Sequence, residues 1–202
     1  MHSFLLATRN PRKTREFAEI LEDEFEVTDL SSVPTALEIE ETGQTFAENA
    51  ILKAVAISKG QTGFVAADDS GLEVDALGGA PGIFSARYVG KNGTDRENID
   101  KLLREMAQAR GDQRSARFRC VIALAREGSL LETFEGTVEG TIIASSRGSH
   151  GFGYDPVFMP TGFDKTFGEL SAAIKNKISH RAKAIAALRQ MLISMTHQSE
   201  EK

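Results

Sequence analysis

Short apolar runs alternate with capped amphipathic segments along this chain, and that alternation leaves few folds open. Residues 3–7 form an apolar run, followed by Asn10 and Pro11 as helix N-cap and first helical residue, and by Phe17, Ile20 and Leu21 at helical spacing. A second strand is expected over 25–30. Thr45 and Glu48 make a capping box ahead of Ala47, Ala50, Ile51, Ala54 and Val55, which share one helical face. The chain returns to strand at 64–67, and 72–76 alternates like another strand. A second capping box, Thr94 with Glu97, opens a helix expected over 95–109. Residues 116–125 and 131–143 read as antiparallel neighbours, and a last helix starts near Ser179 and carries Ala182, Ile185, Ala186, Leu188 and Leu192. Helices interleaved with both kinds of strand predict an α/β protein with a mixed sheet.

No repeat, low-complexity tract or Pro/Ser-rich linker interrupts this pattern. One bilobed domain over 1–196, with a polar tail at 197–202, is the expected organisation. Lys and Arg number 24 against 29 Asp and Glu, a formal charge of -5, which disfavours polymeric nucleic acid as a partner. Cys120 is the only cysteine, so an intrachain disulfide is excluded and a reducing, cytoplasmic setting is expected. The apolar start at 4–7 is far shorter than the roughly 20 residues of a membrane span. No membrane association is expected.

Chemistry concentrates in a few segments. Arg9, Arg12 and Lys13 crowd the start of the first helix, where the helix dipole is already positive. With the Thr8 hydroxyl and open backbone N–H groups they make an anion cradle suited to phosphates. It is not a P-loop, because no Gly-x-x-x-x-Gly-Lys-Ser/Thr string occurs. Glu38, Glu40 and Glu41 precede Thr42-Gly43, and Asp68-Asp69-Ser70-Gly71 is expected where an apolar strand ends in a turn. Adjacent aspartates repel unless a cation offsets them, and hard oxygen donors suit Mg²⁺.

Other segments leave alternatives open. Gly78-Gly79-Ala80-Pro81-Gly82 either turns tightly or lets backbone approach a ligand. Gly151-Phe152-Gly153-Tyr154-Asp155-Pro156 either plugs a core with aromatics or offers a stacking face to a nucleobase. Lys53 is either plain surface charge or a second cation reaching the phosphates. His180 and Arg181 follow the N-cap candidate Ser179, again the end of a helix that disfavours cations unless an anion or polar base edge docks there.

These segments resemble the inosine triphosphate pyrophosphatase family, enzymes that hydrolyse deaminated purine nucleoside triphosphates such as dITP, ITP and XTP. The resemblance runs over about 4–187. It is carried by Ala7-Thr8-Arg9-Asn10 with Lys13; Glu40-Glu41-Thr42-Gly43 with Thr45-Phe46 and Glu48-Asn49-Ala50; and Ala67-Asp68-Asp69-Ser70-Gly71-Leu72. Further blocks are Gly79-Ala80-Pro81-Gly82 with Ser85-Ala86-Arg87-Tyr88, the Gly151 to Pro156 loop, and Ile178-Ser179-His180-Arg181.

The resemblance implies an elongated α/β fold, with a long curved mixed sheet, flanking helices and two lobes around a central nucleotide cleft, assembled as a homodimer. It implies that Thr8, Arg9, Asn10, Pro11, Arg12 and Lys13 hold the phosphates, aided by Lys53. Glu40 and Asp69 would bind Mg²⁺, with Asp69 also the general base and Ser70 touching the substrate. Phe152, Gly153, Tyr154, Asp155, Lys175, His180 and Arg181 would complete the nucleotide site, the purine stacking on Phe152 and its 6-keto edge read by His180 and Arg181. The implied reaction is water attack on the α-phosphorus, giving a nucleoside monophosphate and pyrophosphate. The chain departs from the family at 170–174, Leu-Ser-Ala-Ala-Ile, where acidic residues are common. Two rivals are a pyrophosphatase of other modified nucleotides, like the Maf type, and a non-catalytic nucleotide sensor.

Overall fold

Asn10 is where strand gives way to helix, because its side chain accepts the Arg12 N–H and Pro11 supplies a first helical residue that needs no donor. The computed structural model describes residues 2–33 and 39–200. Strand β1 (His2–Leu6) leads through helix α1 (Pro11–Leu21) to β2 (Phe25–Asp29), parallel to β1 with Phe4 opposite Val27. Helix α2 (Phe46–Ser58) follows, its N-cap Thr45 accepting from the Glu48 N–H. The Glu48 carboxylate bonds the Gln44 N–H rather than that of Thr45.

Next come β3 (Phe64–Val74), α3 (Asp95–Glu105), β4 (Ser115–Arg126), β5 (Ser129–Ile142) and β6 (Phe158–Pro160), then α4 (Ala172–Ile178) and α5 (His180–Glu200). The six strands lie in the order β2-β1-β3-β4-β5-β6. β1 and β3 are parallel, whereas β5 and β6 are antiparallel, so the sheet is mixed as the sequence predicts. Glu127 and Gly128, both at positive φ (51° and 80°), turn β4 into β5 as a two-residue hairpin.

The chain divides into two compact units, residues 1–69, 120–136 and 181–202, and residues 70–119 and 137–180. Each has its own core. In the first, Phe4 and Leu6 of β1, Phe17 and Leu21 of α1, Ile122 and Leu124 of β4, and Ile185, Leu188 and Leu192 of α5 pack together. In the second, Leu72 and Val74 of β3 meet Leu102 of α3, Phe118 of β4, Ile142 of β5, and Phe158 and Phe167. Burying a side chain such as Leu188 or Leu102 stabilises by about 1.5–3 kcal/mol.

Three boundaries differ from expectation. β3 does not end before Asp68 but runs unbroken through Asp68-Asp69-Ser70-Gly71, because cations and an amide offset the two carboxylates and leave the backbone free to stay extended. α3 ends at Glu105 rather than residue 109. The expected tail is helical as far as Glu200, and the seven-residue α4 ends one residue before α5 begins, with Ser179 between them as the C-cap of α4.

Candidate active site

The first unit gathers charge around Asp68 and Asp69. Both are buried, at 2% and 7% exposure, within β3. Asp68 Oδ1 takes the Lys13 ammonium from α1, and Oδ2 accepts from Arg181 Nε at 2.9 Å and from the Cys120 thiol at 3.0 Å. Burial alone would push the Asp68 pKa up, but Arg181 and Lys13 overcome it and hold the carboxyl well below the usual range. The same aspartate and its own burial push the Cys120 thiol well up. Arg181, wholly enclosed, also donates through a terminal nitrogen to Glu16 Oε2 at 2.5 Å.

Asp69 is placed differently. Lys53 Nζ lies 3.3 Å from Asp69 Oδ1, 2.8 Å from Glu41 Oε1 and 2.9 Å from the Asp68 carbonyl oxygen, while Asn49 Nδ2 donates to Asp69 Oδ2 at 3.3 Å. Burial raises the Asp69 pKa more than Lys53 and Lys13 lower it, and Glu41 and Asp68 add to the rise. Burial would lower the Lys53 pKa, yet Asp69 and Glu41 leave it raised. Lys53 is therefore held by two carboxylates and a carbonyl and is not plain surface charge.

The N–H groups expected to stand open at the start of α1 are taken within the chain, that of Arg12 by the Asn10 side chain and those of Lys13 and Thr14 by the Asn10 carbonyl. Thr8 Oγ1 accepts from the Asn10 N–H at 3.1 Å, and Arg9, Pro11 and Arg12 are exposed around the start of α1. Lys13, one turn in, reaches the Asp68 carboxylate.

Two carboxylate oxygens, from Asp69 and Glu41, converge on one ammonium, and that donor set suits a hard divalent cation completed by water and phosphate oxygens. The resemblance points to Glu40, whereas Glu41 is the glutamate at Lys53 and Asp69; Glu40 is exposed. Glu38 lies outside the described residues. Among the described residues no group of three or more His, Cys, Asp and Glu side chains is arranged to hold a metal by itself.

The second unit holds the aromatic cluster. Lys175, 5% exposed, pairs with Asp155 Oδ2 at 2.6 Å, and its ammonium sits 4.9 Å from the Phe152 ring centroid and 5.8 Å from that of Phe167. Asp155 Oδ2 also accepts the Phe152 N–H at 2.8 Å. A Cβ on Gly151, whose φ is 72°, would come within 1.9 Å of that oxygen, so glycine is required there. Tyr154 is a core residue, its hydroxyl donating to the Ser85 carbonyl, and the Gly153 N–H donates to Asp95. Phe152 itself is only half-buried, so the loop both plugs a core and leaves one aromatic accessible. His180 is buried and stacks on Phe118 with centroids 4.7 Å apart and planes 10° from parallel.

Among the sequence-derived residues, Lys13, Lys53, Asp69 and Arg181 meet around Asp68 in the first unit, and Phe152, Asp155 and Lys175 meet in the second. Arg181 joins Asp68 and Glu16, while its neighbour His180 joins Phe118. Ser70 follows Asp69 on β3 and is half-buried. The Gly78 to Gly82 loop folds on itself, with the Gly78 N–H bonding the Asp75 carbonyl, and Ser85 Oγ accepting from the Leu72 N–H and donating to the Gly82 carbonyl. Tight turning is its observed role. Sequence reasoning gave no role to Glu16, Phe118 or Asn49. The one available signal was Asn49, a polar residue among the apolar positions of α2.

A profile of the Ham1 family matches residues 4–191. The chain is 49% identical over 193 residues to the dITP/XTP pyrophosphatase of Bacillus subtilis, covering 95% of this chain and 98% of that one. Its identity to the dITP/XTP pyrophosphatase of Bacillus licheniformis is 50%, with the same coverage. Among solved structures, a HAM1 protein from Coxiella burnetii superposes with a TM-score of 0.86 at 43% identity, covering 96% of this chain and 100% of that one. The Staphylococcus aureus Ham1 protein gives 0.85 at 42%, covering 96% and 99%.

Proposed function

The chain belongs to the Ham1 family, and from that premise we propose that it hydrolyses deaminated purine nucleoside triphosphates, dITP, ITP and XTP, to the nucleoside monophosphate and pyrophosphate. Such an activity clears these nucleotides before they enter DNA or RNA. The observation that carries the reading is the pair of adjacent aspartates with opposite settings, Asp68 bound by Lys13 and Arg181, and Asp69 held between Lys53 and Asn49. Near-full-length relatives bearing the dITP/XTP pyrophosphatase name support it.

In this reading the triphosphate docks at the start of α1, on Thr8, Arg9, Asn10, Pro11, Arg12 and Lys13, with Lys53 a further cation. Asp69 orients the attacking water and takes its proton as the oxygen bonds the α-phosphorus and the α–β bridging bond breaks. Burial raises its pKa in the metal-free protein, and because a metal-bound carboxylate is a weaker base, the acidity of a metal-bound water would carry part of the proton transfer. The growing charge on the leaving pyrophosphate falls to Lys13, Lys53, Arg9 and Arg12, in keeping with phosphoryl chemistry, where positioning and charge neutralisation do most of the work. Mg²⁺, held by Asp69 and the Glu40–Glu41 pair, with Glu41 favoured by its place at Lys53, would lower the pKa of bound water and neutralise phosphate charge.

The second unit's residues are assigned to the base. Phe152 offers a ring to the purine, Lys175 and Asp155 hold that ring's backbone and one face, and Ser70, Gly153 and Tyr154 frame the nucleotide. The 6-keto edge, which accepts a hydrogen bond where adenine donates one, is assigned to His180, whereas Arg181, enclosed in the first unit against Asp68 and Glu16, is assigned to holding Asp68. The protein is proposed to act as a cytoplasmic homodimer. No helix among the described residues is long and apolar enough to cross a membrane.

Pyrophosphate release from dITP, XTP, dGTP, dATP and a pyrimidine triphosphate, with and without Mg²⁺, tests the proposal. Mg²⁺-dependent release confined to dITP and XTP is expected. Release from pyrimidine substrates instead would favour a Maf-type specificity, and tight binding without release from any of them would favour a sensor.

A further inference from the structure

Asn49 is wholly buried on α2, among Phe46, Ala50 and Ala54, where an alanine would fit the helix better. Asparagine costs up to about 0.7 kcal/mol relative to alanine in a helix, and a buried amide costs about 1–3 kcal/mol more unless its hydrogen bonds are made. They are made, one with the loop that carries Glu41 and one with Asp69. Asn49 Oδ1 accepts from the Gly43 N–H at 2.8 Å, and Nδ2 donates to Asp69 Oδ2 at 3.3 Å. Because a backbone N–H can only donate and a carboxylate accepts, the amide has one sensible orientation.

One helical turn on, Lys53 reaches the other oxygen of the same carboxylate, Oδ1, at 3.3 Å. α2 thus presents one donor to each oxygen of Asp69. On its other side the amide grips Gly43, two residues beyond Glu41. A Cβ on Gly43 would come within 2.7 Å of Asn49 Oδ1 and of Glu48 Cβ, so the loop approaches only because that residue is glycine.

We propose that Asn49 is a positioning residue that ties the loop carrying Glu41 to the strand carrying Asp69, and turns Asp69 Oδ1 toward the cation. The inference rests on the metal reading under Proposed function. Asn49 itself touches neither metal nor substrate. Partners that orient a metal ligand from behind typically contribute 10–100-fold in metal affinity or rate.

The experiment compares wild-type protein with Asn49→Ala, and with Gly43→Ala, which displaces the amide without removing it. Mn²⁺ affinity is read by electron paramagnetic resonance of free Mn²⁺, alongside kcat and KM for dITP and the midpoint of thermal unfolding. For both variants we expect Mn²⁺ binding weakened about 10–100-fold and kcat lowered by a similar factor, with KM for dITP within about threefold of wild type. A merely structural residue would lower the unfolding midpoint and leave Mn²⁺ affinity of the folded fraction unchanged, and that result would overturn the inference. Should Asn49→Ala not fold, Gly43→Ala decides by the same readouts. Wild-type protein that takes up no Mn²⁺ would overturn the metal reading and this inference with it, whereas wild-type uptake with unaffected variants would overturn the inference alone.

Discussion

The two units each bury a carboxylate against a cation, but they do so in different ways. In the second unit Asp155 and Lys175 form an ion pair at 2.6 Å, with the Phe152 N–H on the same carboxylate oxygen and the Phe152 and Phe167 rings beside the ammonium. In the first, Asp68 shares its charge among Lys13, Arg181 and Cys120, Arg181 passes on to Glu16, and Lys53 bridges Asp69 and Glu41. That pair fixes a shape, here the Phe152 loop. A shared network sets protonation, and it leaves one of two neighbouring aspartates firmly ionised and the other more basic than usual.

The harshest way to break the contrast is Asp68→Asn. It leaves Arg181 with only part of its compensating charge and Lys13 without its ion-pair partner, and removing one partner of a buried pair costs about 3–5 kcal/mol. A large fall in the urea midpoint at pH 7 is expected. Because the folded pKa of Asp68 is depressed, its contribution is present above the ordinary aspartate value and fades as pH falls through the lower folded value. The gap between wild type and variant should therefore narrow in acid. A gap that stays constant below the ordinary aspartate pKa of 3.8 would show that packing, and not charge, holds Asp68.

Asp155→Asn should come next. Lys175 would keep a hydrogen-bond acceptor and lose its counter-charge, so about 3 kcal/mol is expected, at the lower end for a broken buried pair. The loss is local to the second unit. Phosphate binding, measured with pyrophosphate as ligand, should stay within about twofold of wild type, whereas dITP affinity should fall. Equal losses for both ligands would erase the proposed division of labour between the units.

Gly151→Ala sharpens the same point from the backbone side. The added Cβ meets the Asp155 carboxylate and must adopt a φ of 72°, which costs about 1–2 kcal/mol for a non-glycine residue before any displacement. The expected thermal shift is smaller than for Asp155→Asn. In a double variant the two losses should fall short of their sum, because both act through one contact. Strict additivity would mean that Gly151 is needed only for its turn.

Much of the fold was legible because local signals agreed with one another. Asn10-Pro11, Thr45 and Thr94 mark helix starts where they occur, and the 116–125 and 131–143 alternations become β4 and β5. The candidate site was less legible. Asp68-Asp69 reads as a turn because local composition cannot announce partners 55 and 113 residues away, Lys13 and Arg181, whose charges let the strand continue. Nor could spacing choose between Glu40 and Glu41, since which of them faces Lys53 depends on how a loop folds back over α2. Chain position likewise hides that His180 and Arg181, adjacent in sequence, join different clusters.

The finest test of the contrast is Asp69→Asn. Burial holds the Asp69 pKa above its ordinary value, so the folded state binds a proton more readily than the unfolded chain does. A group of that kind contributes stability at low pH and loses it as pH rises through the folded pKa, the reverse of Asp68. At pH 7 the wild-type carboxylate is therefore a burden, and a neutral isostere should leave the unfolding midpoint unchanged or raise it. Turnover of dITP should nonetheless vanish while triphosphate binding survives, because the cradle at the start of α1 is untouched. Unfolding midpoints collected from pH 4 to pH 8 should show Asp69→Asn gaining on wild type with rising pH. A variant that is destabilised as heavily as Asp68→Asn would mean that both aspartates serve one structural network, and the assignment of Asp69 as the base would lose its physical footing.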